Sequence, residues 1–557
     1  MLLSGADILV ECLIEQGCET VFGYPGGQIL NVYDSLYTHQ DRITHILTAH
    51  EQGAAHAADG YARVTGKVGV VISTSGPGAT NLVTGIANAY LDSVPLVAIC
   101  GNVTTAQIGS DSFQEIDITG VTLPITKHNY FVGSVEELAD VVREAFLLAR
   151  SGRPGPVLID IPKDVQIAKC EYEPQETQQE VPKSAAKDIR IEEAAALLNA
   201  AKRPFIYFGG GVIAAGAQAE MLETAEKLDA PLGCSLMGLS AVPTDHPRFL
   251  GMQGMHGHYA SSMAMHHADL ILSLGVRFND RVTGNRQKFA VGAKIVHIDV
   301  DGSELSKTVN AACGLRGDVK FTLQKLLTRL DNHPKPQWQE EIAAFRRDEE
   351  CLLDKRTGMT PRNVICEINT QIGANTAVCT DVGQHQMWAA QNLSFKTPRR
   401  FVSSGGLGTM GFGFGAAIGA AIGTRERSVL ITGDGSFGMN LNELMTAVRY
   451  NIPVTVVIMD NGVLGMVRQW QTLFFNRHYS NTVLDRGIDY GAFARAFGAD
   501  GETAESTAEL NAALNRSFAR EGPYIIDCKI DKDEFVLPML PPGGSMDDII
   551  TRLEVKA

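Results

Sequence analysis

What most limits the fold of this chain is a recurring kind of segment: a short run that stays apolar at successive positions. "GPVLIDIP" (155–162), "ADLILSLGV" (268–276) and "PVTVVIMD" (453–460) are examples. A strand with one wet face alternates apolar and polar residues, whereas a strand covered on both faces does not, and such strands belong to parallel sheets sandwiched by helices. The first third adds "THILTAH" (44–50), "KVGVVIST" (67–74) and "VPLVAICG" (94–101), separated by the helix-like "EQGAAHAADGYARVTG" and "GATNLVTGIANAYLDS". The middle adds "RPFIYFGGG" (203–211) and "AKIVHIDVD" (293–301), and the last third "TAVCTDVG" (376–383), "SVLITGD" (428–434) and "PYIIDCKI" (523–530). At 557 residues the chain exceeds one core. Strand and helix alternating in this way predict an α/β protein of three doubly wound parallel-sheet domains, at 1–170, 188–335 and 358–535, with a short C-terminal tail (536–557). The polar, proline-containing "EYEPQETQQEVPKSAAKD" (171–188) reads as a linker. The charged "DNHPKPQWQEEIAAFRRDEECLLDKR" (331–356) leads away from the middle domain. The sequence carries no repeat between domains, although the plan recurs.

Composition removes several classes of function. The net charge of −15, without a basic stripe, argues against a nucleic-acid binder. Ten scattered cysteines include no CxxC pair, which argues against zinc and for a reducing compartment. The N-terminal "MLLSGADILVECLIEQG" carries Asp7, Glu11 and Glu15 and no basic leader, so it reads as an amphipathic helix rather than a signal peptide. No apolar run reaches the roughly 18–20 residues of a membrane span. The expectation is a cytoplasmic protein with no membrane partner.

Two carboxylates stand out. In "ITGDGSFGMN" (431–440), Asp434 lies between Gly433 and Gly435 at the end of a buried strand, and the next strand ends at Asp460-Asn461-Gly462. Ligands of parallel sheets bind beyond the carboxyl ends of strands. There Asp434 and Asn461 would offer hard oxygen atoms to Mg²⁺, while the glycines admit a phosphate. The alternative is a surface turn with a capping Asp. In "AHEQGAAHAADGYAR", Glu51 follows a strand and opens a helix of small residues; it reads either as a buried acid–base group or as an acid complementing a helix N-terminus.

Gly433-Asp434-Gly435 followed by Asn461 resembles the diphosphate-binding motif of thiamine-diphosphate enzymes. The resemblance implies Mg²⁺ on Asp434, Asn461 and the backbone oxygen of Val463, with Gly433, Gly435 and Ser436 around the diphosphate. The usual Asn-Asn pair reads Asp460-Asn461, a departure at the non-ligand position. By the same resemblance Glu51 hydrogen-bonds the aminopyrimidine ring, supported by "SGPGATN" (75–81). In "SSGGLGTMGFGFGAAIGA" (403–420), Gly408 offers backbone to that ring and Met410 wedges beneath the cofactor; otherwise this is a glycine-rich helix start and Met410 a core residue. The first and third domains would then bind the pyrimidine and the diphosphate, from different subunits of a homodimer or homotetramer.

"GVRFNDRVTG" (275–284), "LMGLSAVPTDHPRFLGMQGMHG" (236–257) and "FGGGV" (208–212) are similar to the FAD-binding central domain of the acetohydroxyacid (acetolactate) synthase family, and "VFGYPGGQILNVYD", "LGMVRQWQTLFF" (464–475) and "LPMLPPGG" (537–544) extend the similarity across nearly the whole chain. FAD contacts then fall on Gly209, Gly210, Gly211, Leu236, Met237, Gly254, Met255, His256, Gly275, Arg277, Asp299 and Asp318. The family decarboxylates pyruvate and joins the two-carbon unit to a second pyruvate or to 2-oxobutyrate, the first common step of branched-chain amino-acid synthesis. Resemblance gives the acceptor carboxylate to Arg281 and the extra methyl of 2-oxobutyrate to Trp470, and it lines the channel with Phe113, Gln114 and Lys163 beneath the tail. Arg281 pairing with Asp280, and Trp470 as an apolar anchor, are the plain alternatives. Asn279 and Gln28 depart from the commonest family pattern, bearing on flavin contact and on the channel mouth. The resemblance further implies a flavin without net redox and a small regulatory subunit as partner. A flavin-free catabolic acetolactate synthase, a pyruvate oxidase and a non-catalytic subunit of the same fold are the rivals.

Overall fold

The computed structural model describes residues 1–176 and 183–552. Residues 177–182 of the expected linker and 553–557 of the tail lie outside the described residues. The chain divides into two compact units, one made of Met1–Val181, Asn375–His385 and Val402–Lys529, the other of Pro182–Ala374, Gln386–Phe401 and Ile530–Ala557.

The first unit contains two six-stranded sheets. One runs Thr44–Leu47, Thr20–Gly23, Gly69–Ser73, Leu96–Asn102, Pro156–Pro162, His128–Phe131 across its width. The other runs Phe401–Val402, Val378–Thr380, Ser428–Gly433, Val454–Asp460, Tyr524–Lys529, Asp500–Ala504. Numbered by chain order within each sheet, both read 2-1-3-4-6-5. The recurring plan is therefore a recurring topology. The central strands Gly69–Ser73, Leu96–Asn102, Pro156–Pro162 and Ser428–Gly433 are buried at every position. Both sheets reverse strand order between their first and third strands, and such a switch point leaves a crevice at the carboxyl ends.

Within this unit the helix Glu51–Thr65 packs on the helix Phe412–Thr424 with backbones nearly touching. A Cβ on Gly415 would lie 2.7 Å from the Gly53 carbonyl oxygen, and one on Gly60 would overlap the Ala416 carbonyl. The N-terminal segment is helical from Gly5 to Glu15, as its periodicity suggests, but Ser4 caps that helix by accepting the Asp7 N–H. Residues ahead of the cap form a short strand, Leu2–Ser4, antiparallel to Lys169–Glu171.

The second unit holds one six-stranded sheet: Phe249–Met252, Leu232–Cys234, Pro204–Phe208, Leu270–Leu274, Lys294–Asp299, Cys313–Arg316. Its order, 3-2-1-4-5-6, is that of dinucleotide-binding folds, with the switch point between Pro204–Phe208 and Leu270–Leu274. The charged stretch after it is the helix Pro336–Leu352, anchored by the buried Trp338, whose Nε1 donates to the Pro204 carbonyl at 3.0 Å. The tail lies on this unit: Leu540 N–H donates to the Met255 carbonyl at 2.7 Å and Asn285 N–H to that of Gly544 at 3.0 Å. Among the described residues no helix is long and apolar enough to cross a membrane.

Candidate active site

In the sheet that contains Ser428–Gly433, beside its switch point, the strands ending in Gly433 and Asp460 are paired in register, Gly433 opposite Met459, so Asp434 and Asn461 emerge side by side. Asp434 is 6% exposed. Burial, and then the charge of Asp460, push its carboxyl up to about 7. Asp460 in turn is paired by Lys529, which ends the neighbouring strand and also bonds Asp527 at 2.8 Å. The Asn461 side-chain oxygen accepts the Val463 N–H at 3.1 Å, folding the loop back on itself. Ser436 donates its hydroxyl to the Val382 carbonyl at 3.0 Å. Gly408 has φ +70°, and the Met410 methyl lies 3.8 Å from where a Cβ on Gly435 would stand, so the 403–410 loop and the Gly-Asp-Gly turn share one rim. Trp470 rides on the helix Gly465–Phe474, which follows the 460–464 loop, with its ring edge-on to Phe474 at 5.6 Å.

Two further residues belong to this rim and were missed in the sequence. A Cβ on Gly433 would come 3.0 Å from His385 Nδ1, and one on Gly465 would overlap the Gln384 side-chain oxygen. Burial holds the His385 imidazole down to about 3, and its Nε2 has no hydrogen-bond partner. The signal for both was available: they follow Val378–Thr380, the first strand of the sheet, whose end borders the switch point.

The donor set fits Mg²⁺ with a diphosphate. One carboxylate, one amide oxygen and one backbone carbonyl are hard donors that leave positions for phosphate oxygens, and a cation would offset the repulsion between Asp434 and Asp460. No group of three His, Cys, Asp or Glu suited to a metal occurs among the described residues.

The first sheet carries a second rim. Glu51 is the first residue of its helix, 9% exposed, with one oxygen accepting the Asn81 amide at 2.9 Å and the other 3.2 Å from where a Cβ on Gly78 would be. Position at the helix start and burial thus coexist. Gly76, at φ +57°, leaves room for Gln114, itself at φ +62°, while Phe113 is exposed. Lys163 Nζ donates to the Gly27 carbonyl at 3.2 Å, and Gln28 N–H bonds the Thr74 hydroxyl at 3.3 Å. Glu51, Gln28 and Gln114 therefore surround the 74–78 turn, and Lys163 reaches the neighbouring Gly27.

In the second unit, glycines occupy the switch point. A Cβ on Gly209 or on Gly211 would come 2.6 Å from Gly275, which has φ +51°, and Gly211 N–H donates to the Gly275 carbonyl at 3.0 Å. Gly210 faces the Met237 carbonyl in the turn Leu236–Gly238. Such a cradle, in this strand order, fits the diphosphate of a dinucleotide. Gly254, at φ +115°, precedes Met255, whose N–H donates to the Arg281 carbonyl at 2.7 Å. His256 is buried and held at about 4, by desolvation first and by Arg281 second, and its Nδ1 has no partner. The Arg281 guanidinium is more than half exposed and stands 3.9 Å from Asp280, an exposed pairing of little weight in water. Arg277 follows Val276, whose carbonyl the His297 ring bonds at 3.0 Å. Asp299 accepts the Asp301 N–H at 2.8 Å, while Asp318 caps the helix Val319–Leu327, accepting Lys320 N–H at 2.9 Å. Asp318 thus has structural work in the fold beyond any contact with flavin.

Comparison with known proteins agrees with this layout. Three family models match in order: the thiamine pyrophosphate enzyme N-terminal TPP binding domain at residues 3–121, the central domain at 191–326, and the C-terminal TPP binding domain at 381–528. The chain is 45% identical to the acetolactate synthase isozyme 2 large subunit of Escherichia coli K12, over 99% of this chain and 100% of that protein. It is 44% identical to a probable acetolactate synthase large subunit of Methanocaldococcus jannaschii, over 100% of this chain and 96% of that one. It is 43% identical to the Escherichia coli isozyme 3 large subunit, over 98% of both.

Proposed function

The chain belongs to the thiamine pyrophosphate enzymes, among the acetolactate synthase large subunits, and from that membership we propose that it condenses pyruvate with a second 2-oxo acid. Two pyruvate anions and one proton give 2-acetolactate and carbon dioxide; 2-oxobutyrate as acceptor gives 2-aceto-2-hydroxybutyrate. No electron acceptor enters that balance. The observation that carries the reading is the rim at Asp434 and Asn461, where a buried acid, an amide and closely spaced glycines meet beside a switch point.

Asp434, Asn461 and the Val463 carbonyl hold Mg²⁺, with Gly433, Gly435, Ser436 and His385 about the diphosphate and Gly408 and Met410 about the pyrimidine. When bound, thiamine diphosphate would supply the carbanion chemistry that lets pyruvate lose carbon dioxide. Glu51 is placed to exchange a proton with the pyrimidine. Arg281 receives the acceptor's carboxylate, which a guanidinium binds by two parallel bonds. Trp470 favours the extra methyl of 2-oxobutyrate by about 1–3 kcal/mol, so that preference is finite. Lys163, Gln114 and Phe113 line the approach. FAD occupies the Gly209–Gly211 cradle of the central domain, in a structural role. The enzyme is an oligomer with its centres between subunits, and a small regulatory subunit is its partner.

The test is product analysis with mixed pyruvate and 2-oxobutyrate, followed beside the flavin absorbance. Yellow protein that requires Mg²⁺ and thiamine diphosphate and forms both acetohydroxy acids anaerobically is expected. Oxygen uptake stoichiometric with pyruvate, or full activity in colourless protein, would overturn the reading.

A further inference from the structure

The strand end that carries Glu51 is held by a carboxylate from the other sheet of the same unit. Glu443 closes the turn Leu441–Glu443 and is fully buried. One of its oxygens accepts the His50 N–H at 3.0 Å; the other accepts the Ala49 N–H at 3.2 Å and the Thr446 hydroxyl at 2.7 Å. His50 is the N-cap of the helix that Glu51 begins, its ring accepting the Gln52 N–H at 3.0 Å. Both amides immediately before Glu51 therefore end on one carboxylate. An acceptor with negative charge is favoured at a helix N-terminus; burial raises the Glu443 carboxyl above its ordinary value, while the bonds from Thr446, Ala49 and His50 pull it back down. Gly53 makes the approach possible, because a Cβ there would overlap the Glu443 carboxylate. Beyond its own backbone, the Glu51 side chain is fixed by Asn81, so its placement depends on the backbone at 49–50.

We infer that Glu443 is a positioning residue for Glu51, acting through the amides of Ala49 and His50. The inference rests on Glu51 being the acid–base group. The segment that begins at the Asp434 rim ends by holding the Glu51 rim, so one short stretch of chain serves both halves of the cofactor chemistry.

Glu443→Gln tests this, since the amide keeps the size but replaces one accepting oxygen with an NH₂ that cannot accept. The expected result is a fall in kcat of about 10–100-fold, the scale of a small misplacement of a catalytic group, with half-saturating thiamine diphosphate and Mg²⁺ little changed. In the cofactor-free protein, amide exchange of the peptide containing Ala49 and His50 is expected to quicken by about tenfold while distant peptides keep their rates. Thr446→Val removes only the hydroxyl that steadies the carboxylate, and it reads out the same two effects at smaller size if Glu443→Gln does not fold. Native exchange at 49–50, or native kcat, in a folded variant overturns the inference. Near-native turnover in Glu51→Gln overturns the reading of Glu51 instead, because the exchange at 49–50 does not depend on that role.

Discussion

Asp160 lies 2% exposed in the strand Pro156–Pro162, three residues before Lys163. One oxygen accepts the Asn102 amide at 2.7 Å and the other has no partner. Burial drives its carboxyl from 3.8 up to about 7, against the Asn102 bond and with a smaller push from Asp117. Between those values the folded protein retains a proton that the unfolded chain has released. Its contribution is therefore fully present below the unfolded value and is lost as pH rises through about 7. The loss is on the order of 4 kcal/mol at about 1.4 kcal/mol per unit. Asp160→Asn abolishes the titration, so its urea midpoint should exceed that of the native protein at pH 8, with the gap closing toward pH 4. A gap of constant size across that range would contradict the assignment. At this scale the sequence was legible where chemistry is local. Gly433-Asp434-Gly435 and Glu51 each announce themselves within a few residues, whereas Gln384, His385 and Glu443 owe their importance to residues dozens or hundreds of positions away. Asp160 read as an ordinary member of a buried strand, because nothing in "GPVLIDIP" reveals that the acid has a single hydrogen-bond donor.

Secondary structure followed the same rule of two-sided burial. Segments apolar at successive positions, such as Val454–Asp460 and Leu96–Asn102, are central strands. Those that escaped are chiefly short or edge strands. His128–Phe131 has no fully buried residue and Asp500–Ala504 has only two, Gly501 and Ala504, because an edge strand has a neighbour on one side only. The order 2-1-3-4-6-5 could not be read at all, since strand neighbours are chosen by pairing across long separations. The small residues of "EQGAAHAADGYAR" meet a closely packed helix, Phe412–Thr424. Gly60→Ala puts a methyl onto the Ala416 carbonyl, against backbone that cannot rotate away. Ala is otherwise the better helix former by about 1 kcal/mol, so an exposed glycine would gain by the change. Here overpacking should win, costing about 1–3 kcal/mol net of that gain. Thermal unfolding of Gly60→Ala below the native midpoint is expected; a rise would mean the helices are free to separate.

For the whole molecule, the two similar sheets raise the question of which chain supplies each half of a centre. Asp434 and Glu51 stand on different sheets, and the proposed oligomer takes one from each subunit. Co-expression distinguishes the arrangements. A chain carrying Glu51→Gln lacks only the acid–base half, and a chain carrying Asp434→Asn lacks only the metal half. In a mixed two-fold dimer with centres shared between chains, one centre collects both defects and the other receives native Glu51 from one chain and native Asp434 from its partner. Random assembly makes half the dimers mixed, each with one repaired centre, so about a quarter of native activity should return while either variant alone stays near zero. Centres lying within single chains have no route to repair, because every chain in the mixture is defective. The recovered fraction therefore measures the subunit origin of the site directly, and a value near zero from folded mixed dimers would place both halves of each centre in one chain.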